Sequence, residues 1–178
     1  MRRDLGAPDS ALADGMARTV GFVVLLTLYA SIGLMAAAGS IAITQRLLRP
    51  RWEQAFYAIF LIPIAAFYLA FAAYFSADAA WPTEASAVAV FAAVALAGVR
   101  MPLALVAGYL LHGVWDGLHE LQTHGDLAVF QPGRATPTPL AYGVFCAVYD
   151  LCMAAYFVTR RRAWVADRVP AVSAVGAG

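Results

Sequence analysis

The chain has 178 residues, of which 62% are hydrophobic and only 13% charged, with a net charge of +1. A typical soluble domain has roughly 45–50% apolar and about 25% charged residues, so this chain does not carry a soluble domain's surface; its composition fits lipid as the solvent. Near-neutrality removes the electrostatic case for binding nucleic acid. All twelve cations are Arg, which alongside so much Ala, Gly and Val reads as a coding bias rather than a phosphate-binding design.

Residues 1–18 are polar and mixed in charge and read as a flexible leader. The first apolar run, Val20 to Thr44, exceeds the ~7–15 residues of a signal-peptide core and is expected to remain as a helix. Ser31, Gly33, Gly39 and Ser40 give that helix small surfaces for close packing. A short Arg-bearing connection, Gln45 to Gln54, leads to a second helix over Ala55 to Phe75. A third, short and rich in Ala and Val, covers Ala85 to Val99 and is ended by Arg100 and Pro102. The fourth runs from Pro102 to Leu121, and the Pro/Gly/Thr-rich loop Gln122 to Thr138 follows it. The fifth runs from Leu140 to Thr159, with Arg160, Arg161 and Arg162 as its expected stop. Most of these runs approach the ~20 residues that span a bilayer core. The expected fold is therefore an all-α polytopic transmembrane bundle of about five helices, residues 19–162, followed by a disordered tail over 163–178.

Five spans put the termini on opposite sides of the membrane. Arg46, Arg49, Arg51, Arg100, Arg160, Arg161, Arg162 and Arg168 fall on one side, and Arg2, Arg3, Arg18 and Arg134 on the other. The excess of cations places the first side in the cytoplasm, the N terminus outside and the C terminus inside a cell membrane. Cys146 and Cys152 lie six residues apart in one helix, about 120° apart around it, and are not expected to pair.

The fourth helix carries His112, Asp116, His119 and Glu120 in the string LLHGVWDGLHEL. At about 100° per residue, His112, Asp116 and His119 fall within about 60° of arc. The fifth helix presents Gly143, Cys146 and Asp150 as a matching stripe. Because the two helices are consecutive and antiparallel, Asp150 is expected at the level of His112, near the midplane. Each ionisable group there costs at least ~2.5–3.5 kcal/mol, so these groups need partners, and each other is the nearest choice.

Several kinds of chemistry suit such a cluster. His112, Asp116, His119 and Asp150 have the ligand types for a divalent transition metal, Zn²⁺ or Fe²⁺/Mn²⁺. Alternatively, His112, Asp116 and Asp150 carry out acid–base catalysis on a lipid or isoprenoid-like substrate without a metal. A third reading is a proton- or ion-coupled transporter or channel component; five helices make a thin wall for a transport path, which implies a homo-oligomer. The plain alternative is a hydrogen-bonded staple fixing helix register in a structural or assembly subunit. Glu120, Cys146, Tyr142 and Glu53 are secondary candidates. Tyr142 falls near the depth of His119, and the other tyrosines read as packing or interface residues. Glu53 opens the second helix, where a carboxylate complements the helix dipole; a straight helix places it about 15 Å below the midplane. The string HELQTH is not a zincin motif, since its second His, His124, comes one residue too late, and His124 is expected in the outer loop.

The strings H-x-x-W-D-x-x-H, from His112 to His119, and P-x-x-Y-x-x-F-C-x-x-Y-D, from Pro139 to Asp150, resemble those of a family of small bacterial integral membrane proteins of unknown function. The resemblance extends to Glu53 and to the Tyr68–Phe71 segment. It implies that these polar positions are a family feature and supplies no activity. One departure is Glu120, where the resemblance leads one to expect a second His.

Overall fold

The computed structural model describes residues 7–125 and 127–168. Five helices account for most of them: α1 (Ala7–Leu47), α2 (Pro50–Tyr74), α3 (Trp81–Gly98), α4 (Pro102–His124) and α5 (Tyr142–Ala166), with one 3-10 turn at Asp78–Ala80. The expected helices are all present, and their ends differ in instructive ways. α1 starts at Ala7, inside the segment read as a leader; residues 1–6 lie outside the described residues. α5 does not stop at the arginine triplet but continues to Ala166, because Arg is a good helix former and Arg160 has a carboxylate to pair with. The rest of the tail, 169–178, lies outside the described residues.

Four helices are long and apolar enough to cross a membrane: α1, α2, α3 with its leading 3-10 turn, and α5. The short third helix qualifies because Asp78–Gly98 supplies 21 residues. The helix left out is α4. It has the length, at 23 residues, but the ionisable groups of its polar face lower its hydropathy. Its neighbours accommodate that face, since α4 packs between α3 and α5, and His112, Asp116, His119 and Glu120 are all buried. Around the bundle the order is α1, α5, α4, α3, α2, and the ring is nearly open where α1 and α2 scarcely touch.

Close approach at the α4–α5 seam depends on two glycines. A Cβ on Gly143 would lie 2.5 Å from the Asp116 carbonyl oxygen and 2.8 Å from Glu120 Cβ; one on Gly113 would lie 3.3 Å from Asp150 Cβ. Gly33 plays the same part between α1 and α5, where a Cβ would meet the Phe145 carbonyl oxygen at 2.5 Å. Gly39, expected to do likewise, has nothing within 4 Å of its Cβ position. The connection into α5 bends sharply: Ala141 takes a left-handed φ of 61°, a conformation that costs a residue with a side chain about 1 kcal/mol or more.

Gly143→Ala should therefore push α5 away from α4 and lower stability by about 1–3 kcal/mol, the usual scale of overpacking. Gly117→Ala, also on α4 but with open space at its Cβ position, should be neutral or slightly stabilising through helix propensity. Thermal unfolding in detergent measures both; equal effects would disprove the close-packed seam.

Candidate functional site

The polar groups converge because α4 and α5 are held at close range with their polar faces opposed. His112 Nδ1 lies 2.7 Å from Asp150 Oδ2 on α5 and 3.1 Å from Asp116 Oδ2, one turn along α4. Asp116 is held from a third helix, since the Tyr68 hydroxyl on α2 donates to its Oδ1 at 2.5 Å. All four residues are at most 1% exposed. An ionised carboxylate only accepts hydrogen bonds, so Nδ1 of His112 carries the hydrogen shared with Asp150. The other ring nitrogen, Nε2, has no hydrogen-bond partner among the described residues, and neither does Asp116 Oδ2. Phe91 closes one side, with its ring edge-on to the imidazole at 5.0 Å.

His112, Asp116 and Asp150 can hold a metal ion, because one ligand atom from each lies within 4.8 Å of the others. Donors around a tetrahedral ion at ~2.0–2.2 Å stand roughly 3.4 Å apart, so His112 and Asp150 would part by less than an ångström to admit one. Nδ1 would then have to give up its hydrogen. A hydrogen-bonded dyad and a metal centre are thus two states of one trio, distinguished by where that hydrogen sits.

His119, grouped with these residues on helical spacing, does not join them. Its Nε2 lies 3.0 Å from Glu84 Oε1 on α3, and its Nδ1 lies 3.1 Å from the Trp115 carbonyl. Both partners are acceptors when Glu84 is ionised, so the pair holds together either as imidazolium with carboxylate or with the proton on Glu84. His119 is linked to the trio through Tyr68, whose ring lies 4.3 Å from the imidazole.

Beside the trio lies a cavity of about 340 Å³, within the ~300–1,000 Å³ range of ligand pockets. It lies at the gap between α1 and α2, with α5 as its floor. Ala36, Phe60, Ile64, Phe67 and Phe145 make it apolar. His112 and Asp150 line it together with Tyr142, Cys146, Tyr149 and Ser40. Phe67 is 50% exposed, so this wall borders the outside of the bundle, where lipid would lie.

A family described as "Family of unknown function (DUF6010)" matches residues 28–163. The chain belongs to this family. The matched span contains both motif strings and every candidate residue from Glu53 to Asp150. No curated protein and no solved structure matches the chain.

The secondary candidates have defined places. Glu120 turns away from the trio and caps α5, its two oxygens accepting from the backbone N–H of Ala141 at 2.9 Å and of Gly143 at 3.0 Å. Glu53 is fully buried: Arg160 Nε and Trp164 Nε1 each donate to its Oε2 at 2.9 Å, and the Tyr156 hydroxyl donates to its Oε1. It ties α2 to the far end of α5 and does not approach the trio. Tyr142 and Cys146 line the cavity; both cysteines are free. His124 ends α4, half-buried, and the Thr138 carbonyl lies 2.9 Å from its Nε2, so it ties the α4–α5 loop back to the end of α4.

Two site residues were missed at the sequence level. Tyr68 looked like one more packing aromatic, and Glu84 like the end of a loop. The available signal was Glu84's position at the start of an apolar helix, where an ionisable group needs a named partner. Tyr68→Phe should leave Asp116 Oδ1 without its donor and cost about 1 kcal/mol, the scale of an interhelical hydrogen bond in a membrane. Tyr74→Phe, at an 80% exposed position, is the control. Reversible unfolding in bicelles reads both, and a Tyr68→Phe protein as stable as the control would remove Tyr68 from the network.

Proposed function

We propose that this protein is an intramembrane enzyme whose His112–Asp150 dyad transfers a proton to or from a lipophilic substrate. The observation that carries this is the apolar cavity at the α1–α2 gap, with His112 and Asp150 in its wall. Asp150 orients the imidazole through Nδ1, which leaves Nε2 free of any partner among the described residues. A general base needs that arrangement: one ring nitrogen held by a carboxylate, the other available to a substrate. Asp116, fixed by Tyr68, adds a second carboxylate 3.1 Å from the same ring nitrogen. The substrate reaches the cavity sideways from the bilayer, since the α1–α2 gap is the weakest part of the ring.

A metal-dependent version of the same enzyme is favoured by the mutual spacing of the three ligand residues. A Zn²⁺, Fe²⁺ or Mn²⁺ ion there would have protein ligands from His112, Asp116 and Asp150 and a position left for substrate or water. In the membrane, the arginines of the α1–α2 turn, the α3–α4 turn and the end of α5 face the cytoplasm, and the loop between α4 and α5 faces outside.

Three measurements test this proposal. Asp150→Asn keeps shape and hydrogen bonding but cannot ionise. Lipid extracts of host membranes carrying wild type should contain a species, consumed or formed, that extracts from Asp150→Asn membranes do not reproduce, while the variant unfolds at a similar temperature. Identical extracts, together with a His112→Ala stability loss that the double variant partly recovers, would identify a structural staple instead. Elemental analysis of purified protein separates the two enzyme versions. About one ion per chain, lost in His112→Ala and Asp116→Ala but kept in His119→Ala, marks the metal centre; a metal-free active protein marks the dyad. Cysteines placed at Gly133 and Gly178 should label from opposite sides of the membrane, and labelling from one side would overturn the orientation.

A further inference from the structure

The cavity's charge inventory restricts what its occupant can carry as a head group. Lipid-phosphate sites use guanidinium or ammonium groups, because a buried anion needs a paired cation and a set of donors. No arginine lines this cavity. The described arginines lie toward helix ends, turns and the outer loop: Arg160 is committed to Glu53, and Arg168 donates to Gln54 Oε1 and to the Val99 and Arg100 carbonyls at the α3–α4 turn. The ionisable groups at the cavity are His112 and Asp150, with Asp116 against the same imidazole. In the metal-free dyad the site pairs one imidazole with two carboxylates and holds no guanidinium or ammonium group, so it offers a phosphate no fixed cation. The remaining polar lining is hydroxyl and thiol: Tyr142, Tyr149, Ser40 and Cys146. These groups offer weakly polar hydrogen-bond donors suited to an uncharged oxygen. An ammonium head would have to share Asp150 with His112, which already lies 2.7 Å from its Oδ2.

Building on the proposed enzyme, we infer that the cavity takes a lipid with a single uncharged oxygen head, an alcohol or a ketone, and rejects the phosphorylated form of the same chain. An isoprenoid or alkyl tail would lie along Ala36, Ile64 and Phe67, and the head would reach His112. Selection arises by exclusion: the phosphate would be buried unpaired beside carboxylates.

The test is direct binding to detergent-purified protein, by calorimetry or native mass spectrometry, of four compounds sharing one isoprenoid chain: the alcohol, the methyl ketone, the monophosphate and the primary amine. Two variants plug the cavity from opposite walls without touching the dyad, Ala36→Phe on α1 and Ile64→Phe on α2; each is used only if its unfolding temperature matches wild type. The alcohol and ketone should bind wild type at least about tenfold more tightly than the monophosphate, a difference of about 1.4 kcal/mol, and should lose that affinity in the plugged variants. A monophosphate binding as tightly as the alcohol, or an amine binding more tightly, with either blocked by the plugs, overturns the head-group selection and leaves the lipid cavity standing. Failure of all four to bind wild type, or binding unaffected by the plugs, overturns the selection and the lipophilic-substrate enzyme together.

Discussion

Each buried carboxylate in this bundle must find a donor on another element, and the arrangement of the helices follows from how that is done. Among the described residues the buried carboxylates are Glu53, Glu84, Asp116, Glu120 and Asp150. Each meets a partner from another part of the chain: Glu53 from α5, Glu84 from α4 and the α4–α5 loop, Asp116 from α2, Glu120 from the start of α5, and Asp150 from α4. A buried charge left unpaired costs several kcal/mol. Hydrophobic burial distinguishes poorly between helix neighbours in lipid, because tails are as apolar as side chains. Register in this bundle is therefore set largely by five polar ties and by the glycines that allow close approach beside them.

The same ties separate chemistry from scaffolding. Glu53 has three side-chain donors and Glu120 two backbone donors; each ties two helices together, and neither lines the cavity. The trio differs in its setting. His112 Nε2 and Asp116 Oδ2, like Glu84 Oε2, are buried without a hydrogen-bond partner among the described residues, but only the trio has the cavity beside it, reaching His112 and Asp150. Natural structures leave few buried polar atoms unsatisfied, and the residual capacity here sits next to an open space of ligand size.

Much of this was legible in the sequence, and the part that was not has a physical reason. Hydropathy and proline placement located the five helices, four of which are also long and apolar enough to cross a bilayer. Helical spacing brought His112 and Asp116 together, and the antiparallel α4–α5 connection put Asp150 opposite them. Spacing could not tell that His119, on the same stripe, would leave the group, because its partner Glu84 lies 35 residues earlier on another helix. Tyr68 was hidden for a similar reason: whether a membrane tyrosine packs, anchors or donates depends on what the neighbouring helix presents. Glu120 and Glu53 were legible as polar positions but not as fasteners, since a cap supplied from a distant helix leaves no local pattern.

The contact between α1 and α5 joins the first helix to the last. A chain emerging from the ribosome makes α1 before α5, so α1 has almost nothing in this fold to pack against until α5 has been made, its contact with α2 being slight. Until then α4 carries His112 and Asp116 into the membrane without Asp150. The cavity has neither its floor nor its settled α1 wall before α5 arrives, and whatever shields those polar groups in the interval is supplied by the cell's insertion machinery or by the chain's own earlier helices. Assembly of the site thereby waits on α5, and a chain cut before α5 is left with an unpaired ionisable face on α4.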